Sequence, residues 1–154
     1  MEFLGQHCEL TLREGLAKLY SHNPEVASRS KAKCKIFTDH DLTHVIFGCD
    51  TSIVGELKLK PWVLLGWNIN MDELKEYAAD PDVQRLNKEG EALMMSRFVA
   101  TLKIIFYYVP LFFLIWLAHM REMSRMWPHS TLTEEILNAK ICDLRVDYNI
   151  TIVN

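Results

Sequence analysis

Two histidines and an aspartate stand close together in His40-Asp41-Leu42-Thr43-His44, and eleven residues separate His44 from a second carboxylate, Glu56. On a helix, side chains four apart lie one above the other, so His40 and His44 share a face. Asp41, three residues before His44, borders the same patch. Gly48 predicts the end of that helix as its C′ residue. A following helix, capped by Asp50 or Thr51 and packed antiparallel, returns Glu56 to the level of His44, because each residue lies about 6–7.5 Å from the turn at 1.5 Å per residue. Gly55 either lets two backbones approach or leaves space for a ligand. Neutral imidazoles with ionised carboxylates are metal ligands by type. The set His40, Asp41, His44 and Glu56 therefore predicts a divalent metal: zinc, or iron, manganese or cobalt. With only three groups ligating, a two-histidine, one-carboxylate face also suits dioxygen chemistry at iron.

The elements that must position this cluster read as helices. Leu4, Cys8, Leu12, Leu16, Leu19 and Tyr20 recur at helical spacing up to a break at Asn23-Pro24. A basic stretch, Arg29, Lys31, Lys33 and Lys35, leads into the metal helix over Ile36–Phe47. The next helix is expected to end near Lys60, closed by Pro61. Trp62–Asn70 fits neither period clearly, whereas Asp72–Ala79 and Gln84–Met95 are amphipathic. In Glu134–Val153 a helix to about Arg145 and then an extended tail is expected. Together these predict an all-α or mostly α chain, a single-domain helical bundle in which residues 1–154 form one metal-binding domain.

Composition agrees with a packed domain. The 154 residues are 49% hydrophobic and 24% charged, which excludes a disordered chain. A net charge of −3 shows no electrostatic footprint for nucleic acid. Cys8, Cys34, Cys49 and Cys142 are scattered without paired spacing and read as reduced thiols. The acidic start of the chain lacks the pattern of a secretory signal or transit peptide, so a cytoplasmic address is expected. The largest apolar run, Ile104–Ala118, reaches only about 22 Å as a helix against a hydrocarbon thickness of about 30 Å. It reads first as a buried core helix broken at Pro110, and second as the wall of an apolar ligand channel or a segment at a membrane surface.

The stretch HDLTHVIFGCDTSIVGE, with HD, two residues, H, eleven residues and E, resembles the coenzyme Q (ubiquinone) biosynthesis protein 4 family. Leu42, Gly48, Thr51 and the Gly55-Glu56 pair also sit where that family has them. The resemblance covers about twenty residues; elsewhere only the helical layout and apolar content are similar. It implies a mostly helical fold, a divalent metal on His40, Asp41, His44 and Glu56, and a polyprenyl-tailed quinone precursor as ligand. It further implies a peripheral place at the inner membrane in a quinone-synthesis assembly, and removal of a ring carboxylate with hydroxylation at the same carbon. On that reading Phe106, Tyr107, Phe112, Phe113 and Trp116 are candidates to line a channel for the tail, plain core being the alternative. Met120, Met123 and Met126 would form an adaptable rim or ordinary packing. The basic stretch from Arg29 to Lys35 would meet an anionic headgroup or pyrophosphate, or simply face water.

Two other classes fit parts of the pattern. An HD-type phosphohydrolase would use the His40-Asp41 doublet with His22 upstream and Asp72, Asp80 or Asp82 downstream, leaving His44 and Glu56 without a role. A non-catalytic, metal-stabilised lipid-binding or scaffold protein, alone or as a homo-oligomer, would keep both the ligands and the apolar surface. His7, His119 and His129 have no convergent partners in the sequence.

Overall fold

The computed structural model describes residues 1–33, 35–81, 83–85, 88, 106, 109–110, 112–113 and 122–153. The chain is mostly helical, as expected. A short 3-10 turn at Glu2–Leu4 precedes α1 (Leu12–His22), α2 (Pro24–Ala32), α3 (Lys35–Ile46) and α4 (Ile53–Leu65). The strand β1 (Trp67–Asn68) then leads to α5 (Met71–Ala79). Further on lie β2 (Trp127–Pro128), α6 (Glu134–Asn138) and α7 (Ile141–Tyr148). β1 and β2 pair in parallel, with Trp67 opposite Trp127.

Local chemistry places the boundaries. Thr11 caps α1 by accepting from the Glu14 backbone, while the Glu14 carboxylate takes the Thr11 N–H, a complete capping box. That cap starts α1 at Leu12, later than the hydrophobic spacing from Leu4 suggests. Asn23 ends α1 and Pro24 opens α2 at its first position, where a missing N–H costs nothing. The basic stretch thus begins inside a helix that the apolar pattern did not reveal. Pro61 lies within α4 rather than closing it. Proline removes one intrahelical bond, and the buried Leu59 and Trp62 on either side hold the helix through it.

α3 is the central element. It touches α1, α2, α4, α5, α7 and the N-terminal turn. Nine of its twelve residues are buried, polar ones included, which explains why it shows no clean apolar stripe. Its C-terminal end is closed by a Schellman motif, Cys49 N–H to His44 C=O and Gly48 N–H to Val45 C=O. Gly48 takes the left-handed conformation there, with φ of 65°.

The same helix end is held from outside by Arg145 on α7. Its side chain is buried at 1% exposure, and all five of its N–H groups donate to backbone carbonyls. Two of these, Val45 and Ile46, belong to the last turn of α3; Phe3, Gly5 and Gln6 belong to the N-terminal segment. Burial lowers its pKa to about 10, which leaves it charged at neutral pH. α7 continues past Arg145 to Tyr148, ends at Asn149 in the left-handed region, and releases an extended tail that buries Ile150 and Ile152.

The segments Gln84–Met95 and Ile104–Ala118 fall mostly outside the described residues, as do Asp82, Tyr107, Trp116, His119 and Met120. Phe106, Val109, Phe112 and Phe113 are described and exposed, so the core reading does not hold for these four. Met123 packs on the core and Met126 is exposed. Among the described residues no helix is long and apolar enough to cross a membrane.

Replacing Arg145 with Leu strands several buried carbonyls at once. We expect a loss of about 3–5 kcal/mol in urea unfolding. A loss below about 1 kcal/mol would show that the carbonyls find other donors.

Candidate metal centre

The ligand atoms of His40, His44 and Glu56 all lie within 4.8 Å of one another, a group that can hold a metal ion. His40 and His44 come from successive turns of α3, their rings 5.1 Å apart and edge to face. Glu56 comes from the first turn of α4, and its Oε1 lies 3.3 Å from His44 Nε2. The depth match expected from the two arms of the turn is therefore met.

The short connection between the helices does more than reverse the chain. The Asp50 carbonyl lies 3.1 Å from His44 Nδ1 and accepts its N–H in the neutral ring. That leaves the other nitrogen, Nε2, with its lone pair toward Glu56. Asp50 also accepts from the Ser52 backbone N–H and hydroxyl, and Ser52 in turn caps α4 through the Gly55 N–H. Any side chain at Gly55 would collide with Asp50, so the glycine serves a close backbone approach rather than ligand space. One loop thus orients the histidine and starts the helix that delivers the carboxylate.

His44 is fully buried, and among the described residues its Nε2 has no hydrogen bond of good geometry despite the nearby carboxylate. A buried nitrogen left so is costly unless something else takes its lone pair. In the metal-free chain a proton can do so. Burial opposes the charged ring, but Glu56 outweighs it and holds the His44 pKa above its ordinary 6.5. Burial likewise opposes the Glu56 charge, yet His44, His40 and Arg29 hold its pKa down at about 2. A divalent cation satisfies the same donors and fits the set of two imidazoles and one carboxylate.

Asp41 stands outside this group. It sits one residue, or about 100°, round the helix from His40, and the buried Ser30 hydroxyl on α2 donates to its Oδ2. Its Oδ1 lies 3.9 Å from His40 Nδ1, ion-pair range rather than hydrogen-bond distance. Of the four predicted ligands, three are brought together and the fourth is held beside them. The phosphohydrolase residues are not gathered. His22 is exposed and bonded to the Lys18 carbonyl, Asp72 pairs with Lys75, and Asp80 with Lys33.

Several residues around the site escaped sequence reasoning. Tyr77 stacks on His40 at 4.9 Å and 25°, and Trp67 lies 6.2 Å from the same ring. His129 does have partners. Its Nδ1 lies 3.5 Å from the buried Asp39 and its Nε2 3.3 Å from Glu73, with Trp67 edge-on at 5.0 Å. Because the two carboxylates face opposite nitrogens of one ring, they cannot close on a single ion with it. Ser130, at φ of 54°, donates its N–H to Asp39 and accepts from Lys35, fixing this second cluster behind Trp67. The parallel β1–β2 pairing helps bring His129 here, and two-residue strands leave no periodic signal.

No family model, curated protein or solved structure matches the chain.

The two pKa directions yield a pH test. In the metal-free chain the His44–Glu56 pair contributes fully between 4.5 and 6.5, the ordinary values of the two groups. Its contribution is lost as pH falls toward the depressed Glu56 value, and again as pH rises through the raised His44 value. With zinc added the upper limb should invert, stability rising with pH as metal replaces the His44 proton. Thermal melts from pH 5 to 9 with and without zinc check this; parallel curves would contradict a shared site.

Proposed function

We propose that the chain is a metal-dependent protein of ubiquinone-type quinone synthesis that acts on or binds a polyprenylated benzoate precursor, the reaction being oxidative removal of the ring carboxylate. The observation that carries the metal part is the orphaned Nε2 of His44, buried, its tautomer set by the Asp50 carbonyl and facing the Glu56 carboxylate. His40, His44 and Glu56 would hold the ion, with Asp41 in reach as a fourth ligand if it leaves Ser30. The quinone part rests on the resemblance of the HDLTH and GE residues. A divalent metal would supply a Lewis acid with open positions for a carboxylate or phenolate, and in the case of iron a redox centre for dioxygen.

The chain's own residues support that chemistry. His44 is shut away from water, and Tyr77 and Trp67 cover the other histidine. A low-dielectric wall strengthens every interaction with charge that develops on a bound ring. The Asp50 carbonyl holds the His44 ring in one orientation, which spares its reorganisation when a ligand arrives.

A second reading, a non-catalytic lipid-binding or scaffold protein, is favoured by the exposure of Phe106, Phe112 and Phe113. These exposed rings offer a lipid tail an apolar surface, at about 0.8 kcal/mol per buried CH₂. Incubating the metal-loaded chain under air with a prenylated hydroxybenzoate separates the two. Decarboxylated product that disappears in His44→Ala supports the enzyme, and tight binding without product supports the scaffold. Neither binding nor product would overturn the quinone assignment altogether.

A further inference from the structure

The basic stretch ahead of the metal helix divides once it is placed. Lys33 is neutralised by both carboxylate oxygens of Asp80, and Lys35 donates to the Ser130 carbonyl. Arg29 is different. It is half-buried on α2, its Nε is fully buried without a hydrogen bond, and among the described residues no carboxylate pairs with it. Its guanidinium makes a loose cation–π approach, 5.9 Å over the Phe37 ring. From there the rings run straight to the metal ligands: Phe37 is 5.1 Å from Tyr77, and Tyr77 stacks on His40. Tyr77, on α5, is likewise half-buried.

The geometry points to Arg29 and Tyr77 as an oxyanion subsite at the edge of the metal centre, taking the carboxylate of an aryl acid whose ring lies toward the His40, His44 and Glu56 cluster. An unpaired guanidinium with a desolvated Nε is poor design for stability and good design for a planar oxyanion, which it can meet with two parallel N–H bonds. The phenol hydroxyl of Tyr77, whose ring links Phe37 to His40, would add a third donor at no charge cost. A carboxylate docked there would lie between two positive centres, the guanidinium and the metal. This deepens the proposed function and rests on it for the identity of the acid.

The test is calorimetric titration of the zinc-loaded full chain with 4-hydroxybenzoate, 4-hydroxybenzyl alcohol and inorganic phosphate, zinc content being measured separately for every protein. Arg29→Gln should weaken 4-hydroxybenzoate binding about tenfold or more, Tyr77→Phe less, with zinc content and alcohol binding unchanged. Should Arg29→Gln fail to fold, Arg29→Lys keeps charge and stem but not the fork, and should still bind the acid more weakly than the wild type. Equal acid binding by wild type and the folded Arg29 variant would overturn the subsite, as would failure of the wild type to bind the acid. Phosphate that competes with the acid in an Arg29-dependent way supports an oxyanion site, whereas phosphate binding without acid binding overturns the carboxylate assignment. A chain that takes up no zinc sinks the proposed function instead, and the subsite then stands or falls on Arg29-dependent acid binding by the metal-free protein.

Discussion

Arg145 sits where three parts of the chain meet, and its five hydrogen bonds bind them to one another through backbone rather than side chains. A buried guanidinium normally needs a carboxylate. Here the negative end of a helix and three further carbonyls replace it, a partnership that suits the C-terminal end of the α3 dipole. The consequence reaches the candidate metal centre within a few residues. Val45 and Ile46, which Arg145 holds, directly follow His44, and the Schellman turn at Gly48 closes on the His44 carbonyl itself. The position of the buried imidazole is thus set by backbone bonds on both sides of it.

From that fixed end the rest of the site follows in sequence order. The turn after α3 offers the Asp50 carbonyl to His44 and the Asp50 carboxylate to Ser52, and Ser52 starts α4 just ahead of Glu56. Electrostatics then concentrate in a small volume: two imidazoles, one ionised carboxylate and, nearby, the Arg29 guanidinium, whose Nε has no hydrogen bond among the described residues. Around them stand Tyr77 and Trp67, which exclude water more than they bond. Behind Trp67 the Asp39–His129–Glu73 cluster ties the β2 loop to α3 and α5, buttressing the ring that faces His40.

How much of this was legible in the sequence depends on whether the determining contact is local. His40, His44 and Glu56 were readable because helical spacing and a glycine-marked turn are short-range geometry. Gly48 was readable for the same reason. Asp41 met the spacing rule equally well, but its outcome is decided by Ser30 on a helix whose apolar pattern is too weak to announce it. Pro61 misled because packing by Leu59 and Trp62 overrides one lost hydrogen bond. Arg145 and His129 were invisible as functional residues, since every one of these partners lies more than fifty positions away in the chain. The apolar run at Ile104–Ala118 gave a composition signal without a placement, and its described rings are exposed rather than core.

The central claim is that α3 and α4 present two imidazoles and a carboxylate to one divalent ion. X-ray absorption at the zinc edge of the zinc-loaded full chain tests it most directly. One zinc per chain is expected, with two imidazole nitrogens at about 2.0–2.1 Å and the remaining shell of oxygen. A shell containing sulfur, or a fully hydrated ion with no imidazole scattering, would contradict it.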